Sequence, residues 1–121
     1  NIPHRSVLHT GNNLPVRYVN MLSSTNTSNY SNRGTSGIDG CVSTAIGSAI
    51  KAAPEELVFL LVGDVAFFYD RNAFWNNLVP VNLRIVIINN HGGAIFRTVE
   101  GAKDQPEVEQ YFVTQQPLKC E

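Results

Sequence analysis

The chain has 121 residues, of which 43% are hydrophobic and 16% charged, so its size and composition suit one soluble globular domain. A formal net charge of −1 gives no reason to expect nucleic acid or an anionic membrane as its partner. No apolar run reaches the roughly 18 residues that a membrane span needs, and no signal-peptide pattern opens the chain. We therefore expect a cytoplasmic protein.

The first third of the chain predicts a strand, a helix and a loop. Residues 6–9 have the pattern of a short strand. A Gly-Asn-Asn turn then opens a helix over residues 14–22, with Pro15 in its first turn, where proline is tolerated. Residues 23–36 are rich in Ser, Thr and Asn and predict a loop.

A second helix is predicted over residues 37–53. Ser36 and Asp39 approximate a capping box at its start, and Pro54 ends it. Its apolar residues recur at the three-to-four spacing of a helix face: Ile38, Val42, Ala45, Ile46, Ala49 and Ile50.

Two short apolar runs, residues 57–62 and 83–88, have the pattern of buried parallel strands. Each is rich in β-branched residues, apolar on both faces and bounded by turn residues. A third helix, predicted over residues 66–77, lies between them. Strands and helices that alternate at these lengths imply right-handed crossovers, so we expect a three-layer α/β domain with these two strands adjacent or nearly adjacent and central in a parallel sheet.

The ends of the chain indicate a piece of a longer polypeptide. The first residue is Asn1, and the only methionine is Met21. After Phe96 the pattern weakens, and no second strong strand follows to complete a sheet. We expect residues 1–121 to form one domain of a longer enzyme, truncated at its C-terminus. Cys41 and Cys120 lack metal-ligand or redox spacing and are interpreted as reduced thiols.

Both apolar runs end in polar residues that could share a ligand. Asp64 follows the first run, and Asn90 and Gly92 follow the second. Ligands of open α/β sheets lie at the carboxyl ends of the strands, so these residues are expected to converge. A carboxylate, an amide oxygen and a glycine carbonyl form an oxygen-only set of low charge. Magnesium suits such a set, because it takes its other oxygens from water and a phosphate-bearing partner.

Two glycine-rich stretches support a site at this edge. Residues 31–40 place three glycines and Arg33 before a predicted helix start, where backbone N–H groups favour an anion. Residues 89–96 place two amides and two glycines directly after a buried strand and follow them with large apolar residues.

These residues carry a resemblance to a known enzyme family. Gly63-Asp64 followed by Asn89-Asn90 after a strand resembles the thiamine-diphosphate motif. Val65, where many members have glycine, is shared by one branch, 2-succinyl-5-enolpyruvyl-6-hydroxy-3-cyclohexene-1-carboxylate synthase of menaquinone biosynthesis. Three blocks resemble that branch: residues 11–17, 31–40 and 89–96. The resemblance implies the diphosphate-binding domain in the carboxyl-terminal third of the enzyme.

The resemblance also implies roles for individual residues. Asp64, Asn90 and the Gly92 carbonyl would hold Mg²⁺ or Mn²⁺ on the cofactor's diphosphate. Arg17 and Arg33 would bind substrate carboxylates, a task that suits a planar guanidinium. The remaining assigned residues would contact the cofactor or line the reaction chamber. For the cofactor these are Ser36, Ile38 (the apolar prop beneath it), Gly63, Val65, Gly93 and Ala94, and for the chamber Ile95 and Phe96.

The implied activity is that of a carbon–carbon bond-forming transferase that depends on thiamine diphosphate. It decarboxylates 2-oxoglutarate and adds the resulting succinyl-semialdehyde carbanion to isochorismate. The family also needs a pyrimidine-binding domain from a second subunit of a homo-oligomer, a dimer or tetramer. Nothing in this chain matches that domain, so the segment alone is expected to be inactive.

Two other interpretations stay open at this point. Another thiamine-diphosphate enzyme, such as a 2-oxo acid decarboxylase or an acetolactate synthase, would keep Asp64 and Asn90 but would not need Arg17 and Arg33 together. A flavodoxin-like binding module would instead bind its ligand without magnesium.

Overall fold

A computed structural model describes residues 2–22 and 27–119. The chain forms two compact units, Asn1–Ile88 and Asn89–Glu121. In the first unit the strands and helices are, in chain order, β1 (Val7–Thr10), α1 (Leu14–Leu22), β2 (Ser28–Ser31), α2 (Cys41–Lys51), β3 (Val58–Gly63), α3 (Asp64–Tyr69), a 3₁₀ helix (Arg71–Phe74) and β4 (Leu83–Ile88). The second unit contains a 3₁₀ helix (Ala94–Arg97) and a π-helix (Val108–Val113).

The four strands form one parallel sheet in the order β2-β1-β3-β4. β3 and β4 are neighbours, in a register that runs from Val58 opposite Leu83 to Gly63 opposite Ile88. This pairing confirms the predicted parallel α/β fold. The expectation that both strands are central is wrong for β4, which lies at the edge of the described sheet and leaves Arg84 and Val86 exposed.

The main hydrophobic core lies between the sheet and helices α2 and α3. Val58, Leu60 and Val62 alternate along β3 and are at most 1% exposed. They pack with Val42 and Ala66 from the two helices. Right-handed crossovers place α1 on the opposite face, because the chain moves outward from β1 to β2 and then back past β1 to β3. The first unit is therefore three-layered.

The predicted loop over residues 23–36 is wrong where β2 forms. Residues 23–26 lie outside the described residues, but Ser28–Ser31 pair in parallel with β1. The strand is short, polar and largely exposed, so it lacks the apolar pattern by which strands are recognised. Contacts with β1 hold it instead. The Ser31 hydroxyl donates to the Thr10 carbonyl at 2.8 Å, and the Tyr30 ring stacks on His9 with centroids 5.5 Å apart.

Helix α2 begins at Cys41 rather than at residue 37. Ser36 and Gly40 have φ values of +56° and +69°, and a right-handed helix does not pass through left-handed residues. The expected capping box does not form. Asp70 takes its place, since its two carboxylate oxygens accept from the backbone N–H and hydroxyl of Ser43 at 2.7 and 2.6 Å. The cap comes from 27 residues away in the chain.

The helix predicted over residues 66–77 is broken into two shorter pieces. α3 begins at Asp64, and the backbone leaves the α conformation at Asp70, where φ is −100° and ψ is 21°. A 3₁₀ turn continues over Arg71–Phe74. The Phe67 ring contacts Phe68 in α3 and Phe74 in the 3₁₀ turn, with centroids 5.4 and 5.8 Å apart.

In the second unit, side-chain contacts hold a loop against the π-helix. The Arg97 guanidinium makes two hydrogen bonds to the Glu109 carboxylate, at 2.8 and 2.9 Å, and Phe96 meets Phe112 edge to face at 5.5 Å. The sequence pattern did not predict either helix of this unit. Across the described residues of both units, no helix combines the length and apolar character needed to cross a membrane.

The thiol of Cys41 is buried and forms no disulfide within the described residues. Burial raises the pKa of this thiol, so it stays protonated at neutral pH. Cys120 lies outside the described residues.

Acid should destabilise the fold through His9. Burial lowers the pKa of this imidazole below its ordinary 6.5, and its Nε2 has no hydrogen-bond partner among the described residues. The unfolded chain binds a proton near pH 6.5 that the folded state resists, so stability is full above that pH and falls as the pH drops toward the folded pKa. Urea unfolding at several pH values should show that acid lowers the free energy of unfolding less in His9→Phe than in the parent. Equal losses in both proteins would contradict this role.

Candidate functional site

Residues of the first unit that were predicted to bind ligands follow three parallel strands. Arg17 lies in the first turn of α1, which follows β1, and Arg33 comes two residues after β2. Asp64 directly follows β3. Because all four strands run in parallel, their carboxyl ends lie at one edge of the sheet. The chain therefore leads these three residues away from the same edge.

Asp64 is the most buried charged residue in this group. It is 1% exposed and is the first residue of α3. Gly63 precedes it with an extended backbone, and a Cβ added there would meet no atom of the described residues within 4 Å. The protein's own packing thus does not require glycine at this position. Val65 is half-buried.

The loop after β2 is held by Asn12, a residue that the sequence pattern did not mark as functional. The Asn12 side chain is buried, and its Nδ2 donates to the carbonyls of Asn32 at 2.8 Å and Gly37 at 2.6 Å. Its Oδ1 accepts from Nη1 of Arg33 at 3.3 Å. Only the Gly-Asn-Asn turn hinted at this residue, and its partners lie 20 to 25 positions away.

Further contacts shape the same loop. Nδ2 of Asn32 donates to the Gly40 carbonyl and to Oγ1 of Thr44, both at 3.1 Å. Ser36 is exposed, and its hydroxyl donates to the Arg33 carbonyl at 3.5 Å. Ile38 is half-buried against the core of the first unit. Among the predicted residues of this loop, Arg33 and Ser36 therefore present polar groups to solvent while Ile38 anchors the chain.

Asn90 in the second unit carries an unsatisfied acceptor. Its Oδ1 is buried and has no hydrogen-bond partner within the described ranges 2–22 and 27–119. Such an oxygen costs free energy unless it meets a donor or a cation. The neighbouring Asn89 differs, since its Oδ1 accepts from the His91 backbone N–H at 3.2 Å and from Gln116 at 3.3 Å.

Gly92 and Gly93 are needed where the loop meets the π-helix. A Cβ on Gly92 would lie 2.7 Å from the Val113 carbonyl oxygen, and one on Gly93 would lie 2.8 Å from that of Phe112. The close approach lets the Gly93 N–H donate to the Val113 carbonyl at 2.7 Å. The π-helix therefore fixes the backbone that carries Asn90.

The apolar residues of this loop differ in burial. Ala94 begins the 3₁₀ helix and is half-buried. Ile95 is buried, whereas Phe96 is half-buried against Phe112. Phe96 is thus only partly covered.

The donor chemistry fits a hard cation with few protein ligands. The described residues hold no group of three or more His, Cys, Asp or Glu side chains arranged for a metal. The predicted set needs none, because it uses one carboxylate, one amide oxygen and one carbonyl. The buried acceptor of Asn90 matches that requirement. The separation between the oxygens of Asp64 and Asn90 stays a prediction.

Several curated proteins that are similar to this chain share one name. Over 98% of its length the chain is 52% identical to the 2-succinyl-5-enolpyruvyl-6-hydroxy-3-cyclohexene-1-carboxylate synthase of Cytophaga hutchinsonii, covering 21% of that protein. It is 49% identical to the synthase of the same name from Christiangramia forsetii and 46% to that of Desulfotalea psychrophila, covering 20% and 22% of them. The chain belongs to this synthase family. No family model matches it.

The chain spans about a fifth of the length of these curated synthases. Membership confirms the resemblance seen in the three sequence blocks. The chain therefore corresponds to one segment of the family's enzymes. The roles of Asp64, Asn90 and the two arginines stay predictions.

Substitution of Gly92 should loosen the second unit of this synthase segment. Gly92 has a φ of +154°, and Gly92→Ala places a methyl group against the Val113 carbonyl. We therefore expect the free energy of unfolding to fall by about 1–3 kcal/mol. Hydrogen exchange should quicken at the Gly93 amide, which donates to that carbonyl. Gly47→Ala is the matched control, because a Cβ there meets no atom of the described residues within 4 Å. Unchanged protection in Gly92→Ala would refute the close approach.

Proposed function

We propose that this chain forms the diphosphate-binding part of a thiamine-diphosphate-dependent synthase of menaquinone biosynthesis. The observation that carries the proposal is the buried Oδ1 of Asn90, which has no partner among the described residues. Its identity as an amide oxygen two residues beyond β4 fits a ligand of Mg²⁺ or Mn²⁺. The proposed domain comprises residues 1–121.

Asp64, Asn90 and the Gly92 carbonyl are the proposed metal ligands. The burial of Asp64 supports this role, since a buried carboxylate gains more from a nearby cation than an exposed one does. Gly92 supports it differently. Its backbone is held against the Val113 carbonyl, so its own carbonyl has a fixed direction.

Further residues are proposed to contact the cofactor. The space beside Gly63 supports close approach of a diphosphate to the backbone. When bound, thiamine diphosphate supplies the electron sink for decarboxylation of a 2-oxo acid. The half-buried Ile38 acts as the apolar prop beneath it. The other proposed contacts are Ser36, Val65, Gly93 and Ala94.

Arg17 and Arg33 are proposed to bind the carboxylates of 2-oxoglutarate and isochorismate. Both are exposed, and both follow strand ends at one edge of the sheet. A guanidinium has five donors in a planar fork, so each arginine can pair with a carboxylate through two hydrogen bonds. Ile95 and Phe96 line the chamber and exclude water from the reacting atoms.

A complete site also needs a pyrimidine-binding domain from a second subunit. We propose a homo-oligomer, a dimer or tetramer, in which this chain provides only half of the site. The segment alone is therefore inactive. A cytoplasmic location belongs to the same proposal.

Another thiamine-diphosphate enzyme is the main alternative. A 2-oxo acid decarboxylase or an acetolactate synthase would share the proposed metal ligands. The pair of arginines favours the cyclohexene-carboxylate synthase, because two polycarboxylate substrates give each guanidinium a partner. The names of the relatives agree with that choice.

An activity assay of the full-length protein should discriminate between these reactions. With thiamine diphosphate and Mg²⁺, we expect isochorismate to be consumed only when 2-oxoglutarate is present. The loss of isochorismate absorbance and the mass of the product measure this consumption. Pyruvate should not replace 2-oxoglutarate. Turnover of pyruvate without isochorismate would instead support the alternative enzymes.

Removal of the proposed metal ligand should abolish activity and leave the fold intact. In the full-length enzyme, Asp64→Ala should lower kcat/KM by at least about 100-fold with Mg²⁺ as the only metal. Calorimetry should show a matching loss of Mg²⁺-dependent binding of thiamine diphosphate. Asp104→Asn removes a carboxylate from an exposed position and should leave both measurements unchanged. Near-normal activity of Asp64→Ala would overturn the metal assignment.

A further inference from the structure

Asn12 is buried at the centre of a small polar network. It is 4% exposed, and both the nitrogen and the oxygen of its carboxamide have partners. Nδ2 faces the carbonyls of Asn32 and Gly37, at 2.8 and 2.6 Å. Because two carbonyls can be satisfied only by a donor, they fix the orientation of the amide and turn Oδ1 toward Arg33.

The position of Asn12 is set by the sheet. The preceding Gly11 N–H donates to the Leu61 carbonyl of β3 at 2.8 Å, and the Gly11 carbonyl accepts from Val16 of α1 at 3.2 Å. A Cβ on Gly11 would lie 3.1 Å from Cγ2 of Val62. The turn therefore packs directly against β3, and these contacts fix the backbone next to Asn12.

Arg33 contrasts with this rigid turn because its side chain is exposed and long. Its Nη1 donates to Oδ1 of Asn12 at 3.3 Å. Within the described residues this is the one hydrogen bond of the guanidinium, which leaves its other N–H donors available. A guanidinium held in this way loses less rotamer freedom when it binds a carboxylate than a free one does.

We infer that Asn12 is a positioning residue, which holds the Arg33 guanidinium and the loop that carries it in the orientation needed for a substrate carboxylate. The inference rests on the proposed function, because it takes Arg33 to be the group that meets the carboxylate. It extends that function to a residue that touches neither substrate nor cofactor.

A double-mutant cycle in the full-length enzyme tests the inference. Asn12→Ala, Arg33→Ala and the double variant are compared with the parent for kcat and for the KM of each of the two substrates. Arg33→Ala should raise the KM of one substrate by at least about tenfold. Asn12→Ala should raise the same KM by about three- to tenfold, but by less than about twofold when Arg33 is already Ala.

The outcomes separate the inference from the proposed function. An equal effect of Asn12→Ala with and without Arg33, or a fall in kcat with no change in KM, indicates a merely structural role and overturns the inference alone. An Arg33→Ala variant with normal KM for both substrates overturns the carboxylate role of Arg33, and the inference with it.

A second variant guards against loss of folding. Asn12→Asp has the same shape but sets a carboxylate against the two loop carbonyls and neutralises Arg33. It should raise the same KM, again only when Arg33 is present. Asn77→Ala, at an exposed position, is the matched control and should change neither parameter.

Discussion

Parallel hydrogen bonding of β3 to both β1 and β4 is the constraint on which the rest of the first unit depends. Val58, Leu60 and Val62 turn one face of β3 into the core, and the pairing then fixes where every neighbouring strand ends. Since parallel strands end at one edge, residues that follow different strands gather without any contact of their own. The hydrophobic core thereby determines where these polar residues lie, although they are not part of the core.

Long-range hydrogen bonds then shape the loops at that edge. Asp70 caps α2 from 27 residues away, and Asn12 ties the turn after β1 to the loop after β2. Each contact joins a polar side chain to backbone groups that would otherwise need water. Such contacts hold the loops in left-handed and extended conformations, as at Ser36, that local preference alone would not maintain.

The second unit uses backbone packing to the same end. Gly92 and Gly93 allow the loop to touch the carbonyls of Phe112 and Val113, and Arg97 secures the other side through Glu109. A π-helix is uncommon and often accompanies a functional site. Here it supports a loop in which Asn90 buries an oxygen with no partner among the described residues, an arrangement that a ligand would relieve.

The sequence by itself determined the α/β class, the bounds of α1 and β4, and the family, because periodicity and motif are local properties of the chain. It missed β2, the start of α2 and the role of Asn12. β2 is a strand only because β1 pairs with it, α2 is delayed by left-handed residues, and Asn12 acts on partners 20 to 25 residues away. Tertiary structure decided these features, since their stabilising hydrogen bonds join segments whose proximity no local pattern encodes.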